Sequence, residues 1–391
     1  MNELVLNRLK NRQRDGVLFS VIIPAHNAEA TLRRAVESVI TAMGTVQEDA
    51  VVRARMKRTD LQEPEGGSLK LQEEDSGSAL FEVLIIENTS EDATWQLANT
   101  LQEEHPGIVR AFQCEPGVSN GRNRGLEEAC GEWILFLDAD DYFLESAGEV
   151  LCGAVHFTGT DLILCSFEAG EKTVHVCREG GERFSGKELM GISVRIIEDP
   201  TRYTSVWGKF FRRSCIERLH LRFDPALRLS EDSHFLIRCL AGCRRIRLLD
   251  RPFYHYSTDT ASAVRTFDGS KEEGYRRSLE AVQKYLRTQP EEIRAAGAAY
   301  GMMQFNILMV REVFSAGNPM SLREKIRRMR EISEEEPFAA AIGAYDPGRH
   351  KGARFLPIRL LRRKLFAGAA AVYEARVIQN GRREKRSRPE P

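Results

Sequence analysis

Residues 133–141 read Trp-Ile-Leu-Phe-Leu-Asp-Ala-Asp-Asp, and this stretch decides the fold class. Five successive apolar residues ended by polar ones are typical of a strand that is buried in a parallel sheet. Open parallel sheets bind their ligands at the carboxyl ends of the strands. The carboxylates of Asp138, Asp140 and Asp141 therefore occupy the position where an α/β protein places its chemistry.

Other apolar runs along the first half of the chain have the same character and alternate with helical patterns. Strands are predicted at residues 19–23, 81–86 and 108–112, with helices near residues 27–40, 90–101 and 119–130. This alternation predicts an α/β fold with a mainly parallel central sheet and right-handed crossovers.

The composition is that of an ordinary globular protein. Among 391 residues, 57 Lys+Arg balance 57 Asp+Glu, and 42% are hydrophobic. The neutral balance argues against a nucleic-acid partner, because such a partner requires many phosphates to be neutralised. No apolar stretch approaches the ~20 residues that cross a bilayer, and the N-terminus lacks the apolar region of a secretory signal. We therefore expect a cytoplasmic protein.

The chain divides into a leader (residues 1–17), an α/β domain (residues 18–268) and a helical C-terminal region (residues 269–391). Residues 47–79 are polar, charged and rich in glycine, so they predict a flexible insertion within the domain. A regulatory loop is the alternative interpretation of that insertion.

The last residues, 353–388, combine apolar and basic side chains in a helical pattern. A basic amphipathic helix of this kind can lie on an anionic membrane, which would give peripheral contact at the inner membrane face. The slightly favoured alternative is that its apolar residues pack on the domain and that a basic tail follows.

The eight cysteines are scattered along the chain, and we expect buried, reduced thiols. Cys239 and Cys243 have the separation of zinc ligands. The sequence offers no matching second pair, so it does not predict a zinc site.

The three aspartates after residue 137 point to a different kind of metal. Adjacent carboxylates repel one another, and a hard divalent cation shared with substrate phosphates would offset that repulsion. Mg²⁺ or Mn²⁺ suits such oxygen ligands. The alternative is a solvated acidic turn or a helix cap.

Four motifs, in this order, resemble those of the family 2 glycosyltransferases. Residues 21–29 (VIIPAHNAE) resemble the family's V-x-I-P-x-Y-N opening, and residues 82–92 (EVLIIENTSED) resemble E-x-I-x-V-D-D-G-S-x-D. Residues 121–125 (GRNRG) are similar to A-R-N-x-G, and residues 131–141 (GEWILFLDADD) to G-E-Y-I-x-F-L-D-S-D-D. The resemblance covers roughly residues 18–265 and implies a GT-A fold, a nucleotide-sugar donor and inversion at the anomeric carbon.

The resemblance also assigns roles to residues of the nucleotide pocket. Glu87 stands where the family's acidic residue accepts a hydrogen bond from the base. Ala25, His26 and Glu29 lie on the loop that lines the same pocket. Arg122 lies at a helix opening, where its charge suits a nucleotide or its phosphates.

The fourth motif is assigned to the other end of the donor. Asp138 faces the ribose, its neighbour Ala139 belongs to the same donor site, and Asp140 holds Mn²⁺ or Mg²⁺ on the diphosphate. The metal neutralises charge on the leaving nucleoside diphosphate. A uridine nucleotide is the default expectation.

Residues 229–236 (LSEDSHFL) resemble the family's E-D motif, in which the aspartate takes the proton of the acceptor hydroxyl. Asp232 is the implied general base, and Glu231 is its supporting neighbour. An inverting reaction needs this base on the face opposite the leaving group. The alternative is that Ser230 caps a helix whose dipole the two acids stabilise.

Residues 207–213 (WGKFFRR) resemble the family's W-N-K-L-Y-R-R stretch. Lys209 is predicted to contact phosphate or acceptor, with an exposed basic turn as the alternative. The departures from the family pattern are His26 for tyrosine, Asn88 for an acid, Thr89 for a turn glycine, Gly208 for asparagine and Ser257 for arginine.

The implied activity is transfer of a sugar from a nucleoside-diphosphate sugar to a hydroxyl of a glycan or lipid-linked acceptor, in cell-surface polysaccharide synthesis. The alternative is a catalytically silent nucleotide-sugar-binding or assembly protein with the same fold. A dinucleotide-dependent oxidoreductase is disfavoured, because the chain lacks G-x-G-x-x-G after its first strand. A nucleotidyltransferase would require a basic, glycine-rich loop at that point.

Overall fold

The predicted apolar strands form the centre of a large sheet. Strands β1 (Phe19–Ala25), β2 (Phe81–Glu87), β3 (Val109–Gln113) and β4 (Trp133–Phe136) are parallel and lie in the order β3-β2-β1-β4. Every residue of β1, β2 and β4 is buried, as their continuous apolar runs require. The four strand predictions are confirmed, although β1 continues through Pro24.

This computed structural model describes residues 16–48, 80–258 and 267–386. The predicted leader lies outside the described residues except for residues 16 and 17. Of the insertion predicted at residues 47–79, the first two residues instead end helix α1 (Leu32–Glu48). The rest of that insertion lies outside the described residues.

The sheet continues past β4 with strands from the later part of the domain. The described residues add β10 (Lys209–Arg212), β6 (Leu162–Cys165), β11 (Arg245–Leu249) and β9 (Glu182–Ser185), in that spatial order. Strand β10 is antiparallel to both its neighbours and β9 is antiparallel to β11, whereas β6 and β11 share the direction of β1. The central sheet is therefore mainly parallel, as predicted.

A second, smaller sheet lies beside the end of β4. Its described strands are β5 (Tyr142–Phe143), β12 (Tyr254–Tyr256), β7 (Phe167–Ala169) and β8 (Lys172–Val174). Strand β5 begins one residue after Asp141, so this sheet fixes the chain directly after the predicted metal-binding acids.

Alternate residues of the central strands face two different cores. Val21 and Ile23 of β1 pack with α1, α2 (Thr94–Glu104) and α4 (Ala147–Val155). The side chain of Ile22 belongs to the other core. That core contains residues of α3 (Val118–Glu128), α5 (Glu188–Glu198), α8 (Glu231–Leu240) and the C-terminal helices.

Helix α3 lies unusually close to β1 because of a glycine in the GRNRG motif. A Cβ atom at Gly125 would lie 2.3 Å from Cγ2 of Ile22, far inside van der Waals contact. Only a residue without a side chain permits this approach. The close packing fixes the position of Arg122, which lies on the same helix.

The region after residue 269 is helical, as predicted, among the residues described. Its helices are α9 (Lys271–Leu286), α10 (Glu291–Leu308, continued by a π-helical turn at Met309–Val313), α11 (Leu322–Glu334), α12 (Phe338–Gly343), α13 (Leu356–Arg362) and α14 (Phe366–Arg386). Two short helices, α6 (Pro200–Tyr203) and α7 (Arg213–Arg218), belong to the preceding domain. No helix in the described ranges is both long enough and apolar enough to cross a membrane.

The basic C-terminal segment is not a single amphipathic helix. Lys364 has a φ of 58° between α13 and α14, so the chain bends there. Ile358 and Leu361 of α13 and Tyr373 of α14 are buried in the core that they share with the sheet. This arrangement favours the alternative of packing on the domain over membrane contact through one continuous helix.

A buried carboxylate links the first three strands. Glu82 on β2 accepts hydrogen bonds from Ser20 Oγ on β1 (2.6 Å) and from the backbone N–H of Cys130 (2.7 Å). It also pairs with Arg110 on β3 at 3.1 Å, and its side chain has no exposed surface. Because its partners satisfy the buried charge, loss of this one side chain would leave several groups unpaired.

We expect Glu82→Ala to lower the free energy of unfolding by about 3–5 kcal/mol, the usual cost of breaking a buried ion pair. Chemical denaturation measures this change. The control is Glu104→Ala, which removes an exposed acid paired with Arg33 and should have little effect. Equal effects of the two substitutions would contradict the assignment of Glu82 as a buried link.

Candidate active site

The predicted site residues of the first strands lie at one edge of the sheet. Strand β1 pairs in parallel with both β2 and β4, so the carboxyl ends of all three strands point the same way. Ala25 is in register with Glu87, and Asp138 follows β4 by two residues. Parallel pairing thus brings residues that are far apart in sequence to a single edge.

Arg122 is the centre of a buried ion-pair cluster at this edge. Its guanidinium is 3% exposed and contacts Asp138 (Nη2–Oδ1, 3.0 Å), Glu231 (Nη1–Oε1, 2.8 Å) and Asp232 (Nη1–Oδ1, 2.5 Å). The sequence predicts a contact of Arg122 with nucleotide, but not these three partners. The guanidinium joins the end of β4 to the first turn of α8, and so brings the predicted metal-binding and general-base motifs together.

The cluster brings together more carboxyl groups than this one guanidinium could neutralise if all were ionised. Burial, with help from Asp232 and Asp140, raises the pKa of Asp138, against the opposing effect of its ion pair. Burial and then Asp138 raise the pKa of Asp141 to about 8. Burial and then Asp232 raise the pKa of Glu231 to about 8. A divalent cation bound to carboxylate oxygens would offset this excess, so the donor set fits Mg²⁺ or Mn²⁺.

The three aspartates after β4 have different environments. Asp141 is fully buried and accepts hydrogen bonds from Tyr254 Oη (2.5 Å) and the Ser257 backbone N–H (2.7 Å). Asp138 and Asp140 remain partly exposed, and the backbone carbonyl of Asp140 accepts a hydrogen bond from Arg34 Nη2 at 2.6 Å. Asp141 is thus a structural acid, whereas Asp138 and Asp140 are accessible to a ligand.

Both carboxylate oxygens of Asp232 have partners in the described part of the chain. One contacts Arg122, and the other accepts a hydrogen bond from the Val206 backbone N–H at 3.2 Å. Ser230 occupies the N-cap position of α8 with a φ of 56°, but its side chain makes no capping bond. Its hydroxyl donates to Gln304 Oε1 instead, so the alternative in which the Ser230 side chain caps the helix is not observed.

Lys209 is buried, which excludes the exposed basic turn. Its Nζ donates to Ser205 Oγ (3.0 Å) and to the Trp207 carbonyl (3.3 Å). Burial lowers the pKa of Lys209 to about 7, and the negative charge of Asp232 opposes that effect. The preceding Gly208 has a φ of 67°, a conformation that both glycine and asparagine tolerate. The departure from asparagine therefore preserves the local backbone.

A cavity of about 420 Å³ opens beside the ends of β2 and β3. Glu87 lines it and accepts hydrogen bonds from Gln113 Nε2 (2.9 Å) and the Ser90 backbone N–H (2.5 Å). Burial alone would raise the pKa of Glu87, but these hydrogen bonds lower it, so the carboxylate is held ionised. The other lining residues are Thr89, Asp92, Trp95, Gln96 and Cys114.

Sequence reasoning did not identify Trp95 and Gln113 as part of this cavity. Gln113 is the last residue of β3 and lies beside Glu87 at the same edge of the sheet. Its position at the end of a predicted strand could have identified it as a site residue. Trp95 lies in the first turn of α2, where a tryptophan is as readily explained by core packing. Its place in the cavity depends on the fold of the loop before it.

The loop after β1 is tied to the loop after β2. The Ala25 carbonyl accepts from the Asn88 backbone N–H (2.9 Å), and His26 Nδ1 donates to the Asn88 carbonyl (2.8 Å). The Glu29 carboxylate accepts from the Ala93 backbone N–H at 3.2 Å. These three residues are therefore tied to the loop after β2, which lines the cavity, and their contact with a nucleotide stays a prediction.

Comparisons with known proteins find similarity to glycosyltransferases. Residues 68–245 match the family model described as Glycosyl transferase family 2. EpsJ of Bacillus subtilis, an uncharacterized glycosyltransferase, is 21% identical over 80% of this chain and 83% of its own length. TarS of Staphylococcus aureus, a poly(ribitol-phosphate) beta-N-acetylglucosaminyltransferase, is 24% identical over 48% of this chain and 32% of its own.

A solved structure extends the likeness to nearly the whole chain. The crystal structure of S. aureus TarS 1–349 in complex with UDP-GlcNAc superposes with a TM-score of 0.59 and 18% identity. The match covers 93% of this chain and 92% of that one, and at this identity it shows the shared fold. Residues 68–245 therefore match the glycosyltransferase family 2 model, within a chain that has the same fold as TarS.

Proposed function

We propose that the protein is an inverting, divalent-metal-dependent glycosyltransferase. It moves a sugar from a UDP-sugar to a hydroxyl of a glycan or lipid-linked acceptor in cell-surface polysaccharide synthesis. The observation that carries the proposal is the crowding of carboxyl groups around Arg122, at the same edge of the sheet as a cavity lined by an ionised Glu87. A uridine donor is supported by the UDP-GlcNAc complex of TarS, which has the same fold.

The donor would lie across the edge of the sheet, from the cavity to the aspartates. Glu87 accepts a hydrogen bond from the base, and Trp95 offers an aromatic surface at the cavity wall. Asp140, with Asp138 beside it, would hold Mn²⁺ or Mg²⁺ at the diphosphate. The bound metal supplies Lewis-acid stabilisation of the leaving nucleoside diphosphate.

Asp232 would accept the proton of the acceptor hydroxyl. Arg122 and the Val206 N–H hold its carboxylate in one orientation, as general-base catalysis requires. Glu231, whose pKa is about 8, holds a proton over much of the neutral range and so limits repulsion within the pair. Lys209 is buried and interacts electrostatically with Asp232. It would therefore influence the Asp232 carboxylate through its positive charge.

Asp140→Ala should abolish the extra thermal stability that UDP gives the protein in the presence of Mn²⁺, because the diphosphate loses its metal. Thermal-shift measurements with UDP, with and without Mn²⁺, test this through ligand linkage. Glu149→Gln, which changes an exposed acid on α4, is the matched control and should behave as wild type. A full Mn²⁺-dependent shift in Asp140→Ala would refute the metal assignment.

Asp232→Asn should keep UDP binding and reduce turnover roughly 10²–10⁴-fold, the usual contribution of a general base. Turnover is measured as UDP release from a UDP-sugar, and binding by calorimetry. Glu231→Gln should lose less, because it alters a supporting neighbour. Near-normal turnover in Asp232→Asn would show that another group removes the proton.

The Mn²⁺-dependent stabilisation should increase from pH 6 to pH 8. The folded-state pKa of Glu231 and of Asp141 is about 8, well above the ordinary value of each group. At pH values between the ordinary and the raised pKa, the folded protein therefore binds more protons than the unfolded protein does. Its free energy of unfolding without metal falls as the pH rises through that range. A cation opposes the growing repulsion and binds more tightly as the protons leave.

Thermal shifts at pH 6, 7 and 8 measure this trend, with Asp140→Ala as the control that should show none. A Mn²⁺ shift that is constant or decreases towards pH 8 would contradict the proposed link between the acidic cluster and the metal.

A further inference from the structure

Three cysteines meet at the end of α8 that lies away from Asp232. Cys215 belongs to α7, Cys239 to the last turn of α8, and Cys243 follows that helix by three residues. All three are buried free thiols. Their Sγ atoms lie within 4.8 Å of one another, and those of Cys239 and Cys243 are 3.8 Å apart.

These separations fit a tetrahedral thiolate site. Zn–S bonds of about 2.3 Å at tetrahedral angles put neighbouring sulfurs about 3.8 Å apart. The Cys239–Cys243 distance has this value, and the C-x₃-C spacing falls in the range of structural zinc sites. The second pair that the sequence lacked is replaced by Cys215, which the fold brings in from 24 residues upstream of Cys239.

Polar groups beside Cys215 complete the surroundings that such a site needs. The Asp161 carboxylate lies within hydrogen-bonding reach of the Cys215 thiol. Arg218 Nη2 lies 3.3 Å from Cys215 Sγ and 3.4 Å from Asp161 Oδ1. A cation at this point offsets the surplus negative charge that three thiolates and a carboxylate would place around a divalent ion.

We propose that Cys215, Cys239 and Cys243 bind one Zn²⁺ ion in a structural site, with a water molecule as the fourth ligand. Soft thiolates select zinc, whereas the carboxylates around Arg122 suit Mg²⁺ or Mn²⁺, so ligand chemistry separates the two metals. None of the three cysteines lines the cavity beside Glu87 or is an ion-pair partner of Arg122.

The position of the cluster explains what the zinc would do. Helix α8 carries Glu231 and Asp232 in its first turn and Cys239 in its last. Helix α7 follows directly on β10, whose first residue is Lys209. Zinc would fasten α8 to α7 and to the sheet, and thereby fix the position of the helix that presents Asp232. It is a positioning device and takes no part in the reaction.

The test uses the full chain produced in zinc-supplemented medium and purified without metal-affinity steps. Elemental analysis should find about one zinc per chain in the wild type and at least tenfold less in Cys215→Ser. Cys165→Ser, which changes a buried cysteine of β6 outside the cluster, is the control and should retain the metal. Loss of zinc in both variants, or its absence from the wild type, would overturn the proposal.

A second measurement does not depend on a variant that folds. Wild-type protein exchanged into Co²⁺ should show thiolate-to-cobalt charge transfer and the visible bands of a tetrahedral ion. A chelator should lower the melting temperature, and Zn²⁺, but not Mn²⁺, should restore it. An octahedral cobalt spectrum, or a melting temperature that neither chelator nor zinc changes, would show that the three thiols are only packed together.

Discussion

The guanidinium of Arg122 holds together carboxylates that would otherwise repel one another at the edge of the sheet. Two of them, Glu231 and Asp232, lie more than one hundred residues further along the chain. A buried ion pair stabilises a protein most when every buried charge has a partner. Here one guanidinium pairs with three carboxyl groups. This surplus of carboxyl groups distinguishes the site from an ordinary structural salt bridge and is the basis for the proposed divalent cation.

The fold determines where this charge collects. Parallel pairing of β1 with β2 and β4 brings Glu87 and Asp138 to one edge. Gly125 allows α3 to pack closely against β1, and this packing fixes the position of Arg122 near that edge. From the other side, α8 brings Asp232 to the same guanidinium. The cavity beside Glu87, the aspartates and the candidate base thus lie at the same edge of the sheet.

Much of this arrangement could be predicted from the sequence, because β1, β2 and β4 are mainly apolar runs followed by polar residues. Strand β10, which inserts antiparallel between β4 and β6, and the smaller sheet could not be predicted, since strands of two to four residues carry too little periodicity. The pairing of Arg122 and the meeting of Cys215 with Cys239 are long-range contacts with no local signal. Two departures from the family pattern have physical explanations: Gly208 keeps a left-handed backbone, and Ser257 receives a hydrogen bond from Arg34.

The central claim is that carboxylates after β4 bind a divalent cation that anchors the donor diphosphate. Anomalous diffraction at the manganese edge, from crystals grown with Mn²⁺ and UDP, tests it most directly. The account predicts a manganese peak within bonding distance of both the Asp140 carboxylate and a diphosphate oxygen, with uracil in the cavity beside Glu87. Well-ordered UDP in that cavity with no manganese between it and the aspartates would contradict the account.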